Sequence, residues 1–449
     1  MAEAKDIDDS LEFLRFFEKY TEKEDLLQVI QHRLEKDPAR LDLTRQVMSE
    51  SDFKMLSELQ PLARVVYLNL SETGLRTAGI QQLCTSPHLG RLETLELGNN
   101  NVDDDGLFFL SRISIFENLK TLNLASNEIG PVGAKALSAS KTLANLETLD
   151  LSYNRITPLG IKALTNSDLG RRLRCLKLAD IGLGDDGAEQ LSKCEQLEGL
   201  ETLDLSDNNL TDRGVECFAR ANVFPNLKRL ILSNNPIGDD GVYALAESEL
   251  FENIEELELR CAGLTADSAI TLGQSQHFKN IRRLNLNNND IRAEGTEALV
   301  ASANVKHLEA IDLGENQLNA EGAVALAESP NVTHLKELRL NNNNIADEGV
   351  VALAQSPYLT GLEELYLEQD NWIRPRGAKA IAESTTFSNL RVLVLGLNVI
   401  GDEGARYLAE STTLKSLTFL NVIGNKLSNA GEDTLRHSET LKLKQLELV

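Results

Sequence analysis

The chain has 449 residues, 42% hydrophobic and 25% charged, and its acidic side chains outnumber basic ones 69 to 45 for a formal charge of −24. So negative a balance argues against holding DNA, RNA or an anionic membrane leaflet through the whole surface, and fits a soluble protein whose partner is neutral or basic. No stretch approaches the ~18 uninterrupted apolar residues of a membrane helix, and the opening MAEAKDIDDS lacks the basic-then-apolar order of a secretory signal. The five cysteines (Cys84, Cys175, Cys194, Cys217, Cys261) are an odd number without a CxxC pair. Free buried thiols in a reducing, cytoplasmic compartment are therefore expected rather than a disulfide frame.

The first predicted elements are two short helices. Asp9 with Glu12, and Thr21 with Glu24, have the spacing of a capping box, each ahead of a helical apolar pattern. Leu11, Phe13, Leu14 and Phe17 line one face; Leu26, Leu27, Ile30 and Leu34 line the other. Residues 1–37 are too few to make an independent core, and a stacked array needs its apolar end covered. The segment is expected to be an N-terminal helical cap.

From Pro38 onward the sequence repeats. Leu92, Leu95, Leu97, Asn100 and Val102 return as Leu119, Leu122, Leu124, Asn127 and Ile129, and again as Leu146, Leu149, Leu151, Asn154 and Ile156. The step is 27 residues, with one step of 28 and one of 26 near the C-terminus. A period of this size means stacked rungs, so residues 38–449 are expected to form one solenoid of about fifteen repeats, closed by a terminal strand at Leu443. Within each repeat the LxLxxN part alternates as a half-buried strand does, and an amphipathic helix follows, as in 347–356. Glycine stands fourteen positions after nearly every start, from Gly79 to Gly431, where it would let the helix start press close to the strand layer.

The pattern LxxLxLxxNxL, then glycine, then a helix, resembles the leucine-rich repeat in its ribonuclease-inhibitor-like class, the type also found in RanGAP and NOD-like receptors. That resemblance implies a right-handed α/β horseshoe solenoid with a parallel β-sheet on the concave face and helices on the convex face. It leaves function open, because the architecture is shared more widely than any chemistry. Ribonuclease inhibitors alternate two repeat types and are rich in cysteine, unlike this chain.

Several clusters invite a chemical reading. Asn101, Asp103, Asp105 and Gly106 match the first half of a calcium loop, but the place of its bidentate glutamate holds Arg112. Carboxylates at Asp185, Asp239, Asp347 and Asp402 recur at the same place, and capping of helix N-termini explains all of them. The recurring asparagines are expected to turn inward onto backbone groups; Thr73, Ile181 and Ala262 replace them, each followed by Gly-Leu, so altered loops are expected there. His307 and His334 share a slot in successive repeats, and a metal site would need a third ligand that does not repeat beside them. No phosphate loop, nucleophile elbow or HExxH occurs, and no catalytic residue, metal or cofactor is implied.

The outward positions of the strands are the informative surface. Fifteen acids fall there against seven bases, with Asp150, Asp204, Glu256 and Glu258 among the acids. Toward the C-terminus the character changes: Tyr366, Val392, Val394, Leu397, Phe419 and Ile423 take positions that are polar elsewhere, and Trp372 stands in a one-residue insertion beside them. Clustered apolar and aromatic side chains mark a contact surface. The leading expectation is a non-enzymatic scaffold that holds a neutral or basic protein on its concave face. The alternatives are a RanGAP-like GTPase activator, with Arg76 as the loop arginine, and an effector or receptor-type recognition domain. The end strand, 443–449, offers an edge for self-association.

Overall fold

The computed structural model describes residues 26–194, 196–221 and 223–448. The two capping boxes and the face formed by Leu11, Phe13, Leu14 and Phe17 lie outside the described residues. The chain divides into two compact units, residues 1–150 and 151–449.

In the first unit the helix Leu26–Lys36 buries Ile30 and Leu34. Five three-residue strands follow: β1 (Arg40–Asp42), β2 (Tyr67–Asn69), β3 (Thr94–Glu96), β4 (Thr121–Asn123) and β5 (Thr148–Asp150). They pair in parallel in chain order, with a helix between each strand and the next. The second unit continues the scheme with β6 (Cys175–Lys177), β7 (Thr202–Asp204), β8 (Arg229–Ile231), β9 (Glu256–Glu258), β10 (Arg283–Asn285) and β11 (Ala310–Asp312). Its last strands are β12 (Glu337–Arg339), β13 (Glu364–Tyr366), β14 (Val392–Val394), β15 (Phe419–Asn421) and β16 (Gln445–Glu447). Each unit is thus an open α/β solenoid, a parallel sheet forming one layer and helices the other.

Register follows the repeat. Leu284 pairs with Ile311, 27 residues on, whereas Leu365 pairs with Leu393 and Leu420 with Leu446. The longer and shorter steps are therefore absorbed outside the strands, which keep every central leucine pointing inward. Those side chains are buried, from Leu41 through Leu338 to Leu420. Phenylalanines of the returning segments (Phe116, Phe224, Phe278 and Phe387) are buried behind them.

Three polar ladders hold the rungs. Asn316 Nδ2 donates to the carbonyls of Leu286 (2.8 Å), Leu313 (3.1 Å) and Gly314 (2.8 Å), and its Oδ1 accepts from Ile291 N–H. The inward asparagines do what was expected of them. Where asparagine is replaced, the next residue, Gly74, Gly182 or Gly263, takes left-handed φ near +70° to +77°, which glycine adopts without a Cβ penalty. The helix-start carboxylates depart from expectation. Asp103 caps its own helix at Gly106 N–H, but Asp347 Oδ1 accepts from Arg374 and Gly377 N–H, both 2.9 Å away in the next repeat. Asp104, Asp185, Asp239 and Asp402 do the same one repeat on. Stacking sets the unpaired N–H groups of one helix start beside the carboxylate of the previous one, so the cap joins repeats.

The third ladder was not anticipated. Ser275, Ser302, Ser329 and Ser356 each donate to the last-turn carbonyl of the preceding repeat's helix, at 2.5–2.6 Å. The glycine slot is also corrected. The close approach is not to the strand layer: a Cβ on Gly133 would lie 2.6 Å from Asp104 Oδ1, and one on Gly349 would run into Ile345 Cγ2 and lie 2.8 Å from Ala323 Cβ. Glycine there lets one helix start nest against its own preceding turn and the neighbouring helix.

Candidate functional site

Alternation along a strand sends its first and third residues to the outer face of the sheet. In the second unit this produces two rows. One runs Arg229, Glu256, Arg283, Ala310, Glu337, Glu364, Val392, Phe419; the other runs Ile231, Glu258, Asn285, Asp312, Arg339, Tyr366, Val394, Asn421.

The expected acidic wall is in part internally compensated. Arg229 lies 3.2 Å from Glu256 and 2.6 Å from Glu258. Asp204 Oδ1 accepts from Ser206 N–H (3.0 Å) and Oγ–H (2.6 Å). Asp150, the remaining acid named from the sequence, is half-buried on β5 in the other unit. Arg283 reaches across β11 to Glu337 at 2.9 Å, and Arg339 meets the same carboxylate at 2.6 Å. Burial raises the Glu337 carboxyl pKa, but hydrogen bonds from the two guanidiniums outweigh it and hold the group below its ordinary range. Burial wins at Asp312 and Glu368, whose carboxyls are pushed up. Glu368 Oε2 is covered and has no hydrogen-bond partner among the described residues.

Charge gives way to apolar surface at Tyr366. The Arg339 guanidinium stacks 3.8 Å from the ring centroid, and the phenol donates to Glu364 Oε2 at 2.8 Å. Burial, then that carboxylate, pushes the phenol pKa up to about 12, so it stays a donor. Register sets Tyr366 beside Val394, and Val392 beside Phe419. Val392, Phe419 and Ile423 are half-buried, whereas Val394 is almost fully buried and adds little reachable surface. Leu397 is 58% exposed and its N–H donates to the Ile423 carbonyl at 2.6 Å. The structure therefore gathers Tyr366, Val392, Val394 and Phe419 on three neighbouring strands, with Leu397 and Ile423 on the turns that follow.

Trp372 is placed elsewhere. It is 53% exposed with a left-handed φ of 54°, in the turn leading to the helix Pro375–Glu383. Asn344 and Lys426 hold equivalent left-handed positions in nearby repeats. The inserted residue falls before Asn371, and the indole, at the turn position that Asn344 and Lys426 share, lies at the loop edge, off the strand rows. Arg76 is exposed at the start of the helix Thr77–Cys84. Ala310 and the arginine pairings were not singled out from the sequence; an alanine in a row otherwise filled by long side chains was the available signal.

With this geometry in hand, comparison with known proteins gives the class. Nine segments, residues 92–111, 117–138, 142–164, 200–219, 225–246, 279–300, 306–327, 333–354 and 388–409, match the family described as Leucine Rich repeat. The chain is built from leucine-rich repeats. Among solved structures, it is similar to a chain of the yeast Rad7–Elc1 complex, with 14% identity, TM-score 0.50, and 98% of each chain covered. It is also similar to an internalin of Listeria monocytogenes, with 20% identity, TM-score 0.47, 89% of this chain and 94% of that one covered. At these identities the likeness concerns the fold alone. No curated protein matches by sequence. Among the described residues, no helix is long and apolar enough to cross a membrane.

Proposed function

We propose that the chain is a non-enzymatic scaffold of the ribonuclease-inhibitor-like repeat class, acting in the cytoplasm, that holds a neutral or basic protein on the sheet face of its second unit. One observation carries the reading: the outer face passes from a charged field to an apolar strip, Tyr366, Val392 and Phe419, on adjacent strands. Aromatic anchors beside a charged rim are how protein interfaces divide the work, the rim governing association and the anchors dissociation. A helix in every repeat and the regular 27-residue step support the subclass, and cysteine spacing supports the compartment. Asp204, Glu256 and Glu258 belong to the rim in this reading, with Leu397, Ile423 and Trp372 at its margins; Asp150, in the other unit, is left out of it.

The test is affinity capture with the full chain and with Tyr366→Ala and Phe419→Ala. A genuine partner should lose about 1–3 kcal/mol of binding with either variant while the melting temperature holds. A partner that binds both variants as it binds the parent would move the contact off this strip, and β16 would then be examined for self-association.

A further inference from the structure

Between the arginine pairs of the second unit lies a groove of about 450 Å³ on the outer sheet face, with Ala310 and Asp312 of β11 in its floor. Alanine creates it. The flanking members of the row, Arg283 and Glu337, have long side chains and meet each other at 2.9 Å across β11. One strand away the outward side chains are longer or charged, Arg283 and Asn285 on β10 and Glu337 and Arg339 on β12; at β11 only a methyl and a short carboxylate remain.

The charges around this groove do not balance. Arg229 serves Glu256 and Glu258, and Arg283 and Arg339 both serve Glu337. Three guanidiniums are thus committed to three glutamates, and Asp312 is left over. Its Oδ1 accepts from Gly314 N–H (2.9 Å) and Asn287 Nδ2 (3.3 Å). No donor among the described residues reaches its Oδ2. Burial raises the Asp312 pKa, as a half-compensated carboxylate requires, and Arg339 acts on it only through space.

We propose that this groove receives a lysine or arginine side chain from the protein bound on the sheet face, with Asp312 as its counter-ion. The inference rests on the sheet-face reading and gives that partner a chemistry. An anionic group is disfavoured because every guanidinium around the groove already faces a carboxylate, and a newcomer would have to break those pairs. A hard divalent cation is disfavoured too, since calcium takes roughly six to eight oxygens and one unshared oxygen stands here among three arginines. A long side chain with a single terminal charge suits a groove of this size: its stem can lie over β11, where Ala310 is almost fully buried beside the Arg283–Glu337 pair, while its head meets Asp312.

The experiment uses the full chain with methyl-labelled alanine, the Ala310 resonance being assigned through Ala310→Gly. Three probes are titrated to about 20 mM, a range suited to millimolar affinities: the blocked tripeptides Ac-Gly-Arg-Gly-NH2, Ac-Gly-Lys-Gly-NH2 and Ac-Gly-Glu-Gly-NH2. The arginine and lysine peptides should move the Ala310 methyl in a saturable way, and the glutamate peptide should not. Asp312→Asn should weaken the cationic peptides about tenfold, because the charge partner is lost. That variant is expected to fold, since its amide oxygen can accept from Gly314 N–H. Asp180→Asn, at an exposed position on the turn after β6, should change binding less than about twofold, and Ala310→Leu should abolish it by filling the floor. An unmoved Ala310 methyl, an equal response to the glutamate peptide, or unchanged affinity in Asp312→Asn would each overturn the proposal. The two readings fail separately. A captured partner lost by Tyr366→Ala together with a silent Ala310 methyl sinks only the groove, whereas cationic peptides that bind while the aromatic variants lose no partner sink only the strip.

Discussion

Replacing Gly349 by alanine tests the close approach of neighbouring helices through the sign of its effect. Gly349 is the fourth residue of the helix Ala346–Gln355. On propensity alone, alanine in a helix should stabilise the fold by about 0.5–1 kcal/mol. The new Cβ, however, would run into Ile345 Cγ2 and lie 2.8 Å from Ala323 Cβ and 3.4 Å from Ala320 Cα. Ile345 and Ala323 are fully buried, so neither can swing into solvent, and the helix must shift against its neighbour. Overpacking of this kind costs about 1–3 kcal/mol, which outweighs the propensity gain and leaves a net loss of up to about 2.5 kcal/mol. Gly349→Val should lose more, since a branched side chain adds volume to the same contact. Urea unfolding followed by circular dichroism reads the midpoint. Amide exchange along 346–355 checks that the loss is local, because repeats unfold in neighbouring groups. A midpoint for Gly349→Ala that stays level or rises would show that the helices do not approach as described.

Other consequences can be checked with the same measurements. Ser356→Ala leaves the buried Ala327 carbonyl without the hydroxyl that meets it at 2.5 Å, and should cost about 1–3 kcal/mol; a change within error would mean that this ladder is incidental. Two carboxylates should show opposite pH behaviour. Burial raises the Asp239 pKa, but hydrogen bonds from Ser268 and Thr265 outweigh it and leave the group below its ordinary value. Its stabilising effect is therefore present above the unfolded aspartate pKa and lost as pH falls through the folded one. Glu368 is raised by burial, so its ionised form weakens the fold at neutral pH. Glu368→Gln should stabilise at pH 7, and the gain should shrink on acidification toward the ordinary glutamate pKa; a pH-independent difference between pH 7 and 3.5 would contradict the assignment. Removing residues 1–37 should uncover the apolar end beside Leu41 and Leu43 and cause fraying or aggregation, whereas an equally stable, monomeric truncation would show that the segment is no cap.

The repeat carried most of the fold in one dimension. Leucines at fixed spacing had to share one face of a strand, and each rung had to stack on the next because none can bury its apolar face alone. The asparagine ladder was equally legible, since a buried amide after a strand bend has backbone groups as its partners. What lay outside the sequence was everything that passes sideways between rungs. Asp347 could be assigned to a helix start, but only stacking shows that it caps the start in the next repeat. Ser356 looks like a surface serine until the carbonyl of Ala327 is set against it. The candidate face divides in the same way. Alternation put Glu256, Glu258 and Tyr366 outward, yet whether an outward charge is available to a partner depends on how far a neighbouring arginine can reach. Arg229 reaches both glutamates, and Arg283 spans β11 because Ala310 leaves the way clear. Trp372 was grouped with the apolar strip by nearness in sequence, and the left-handed turn position it shares with Asn344 and Lys426 puts it at the loop edge. Periodicity fixes which way a side chain points; side-chain length and the register of neighbouring strands decide what it meets there.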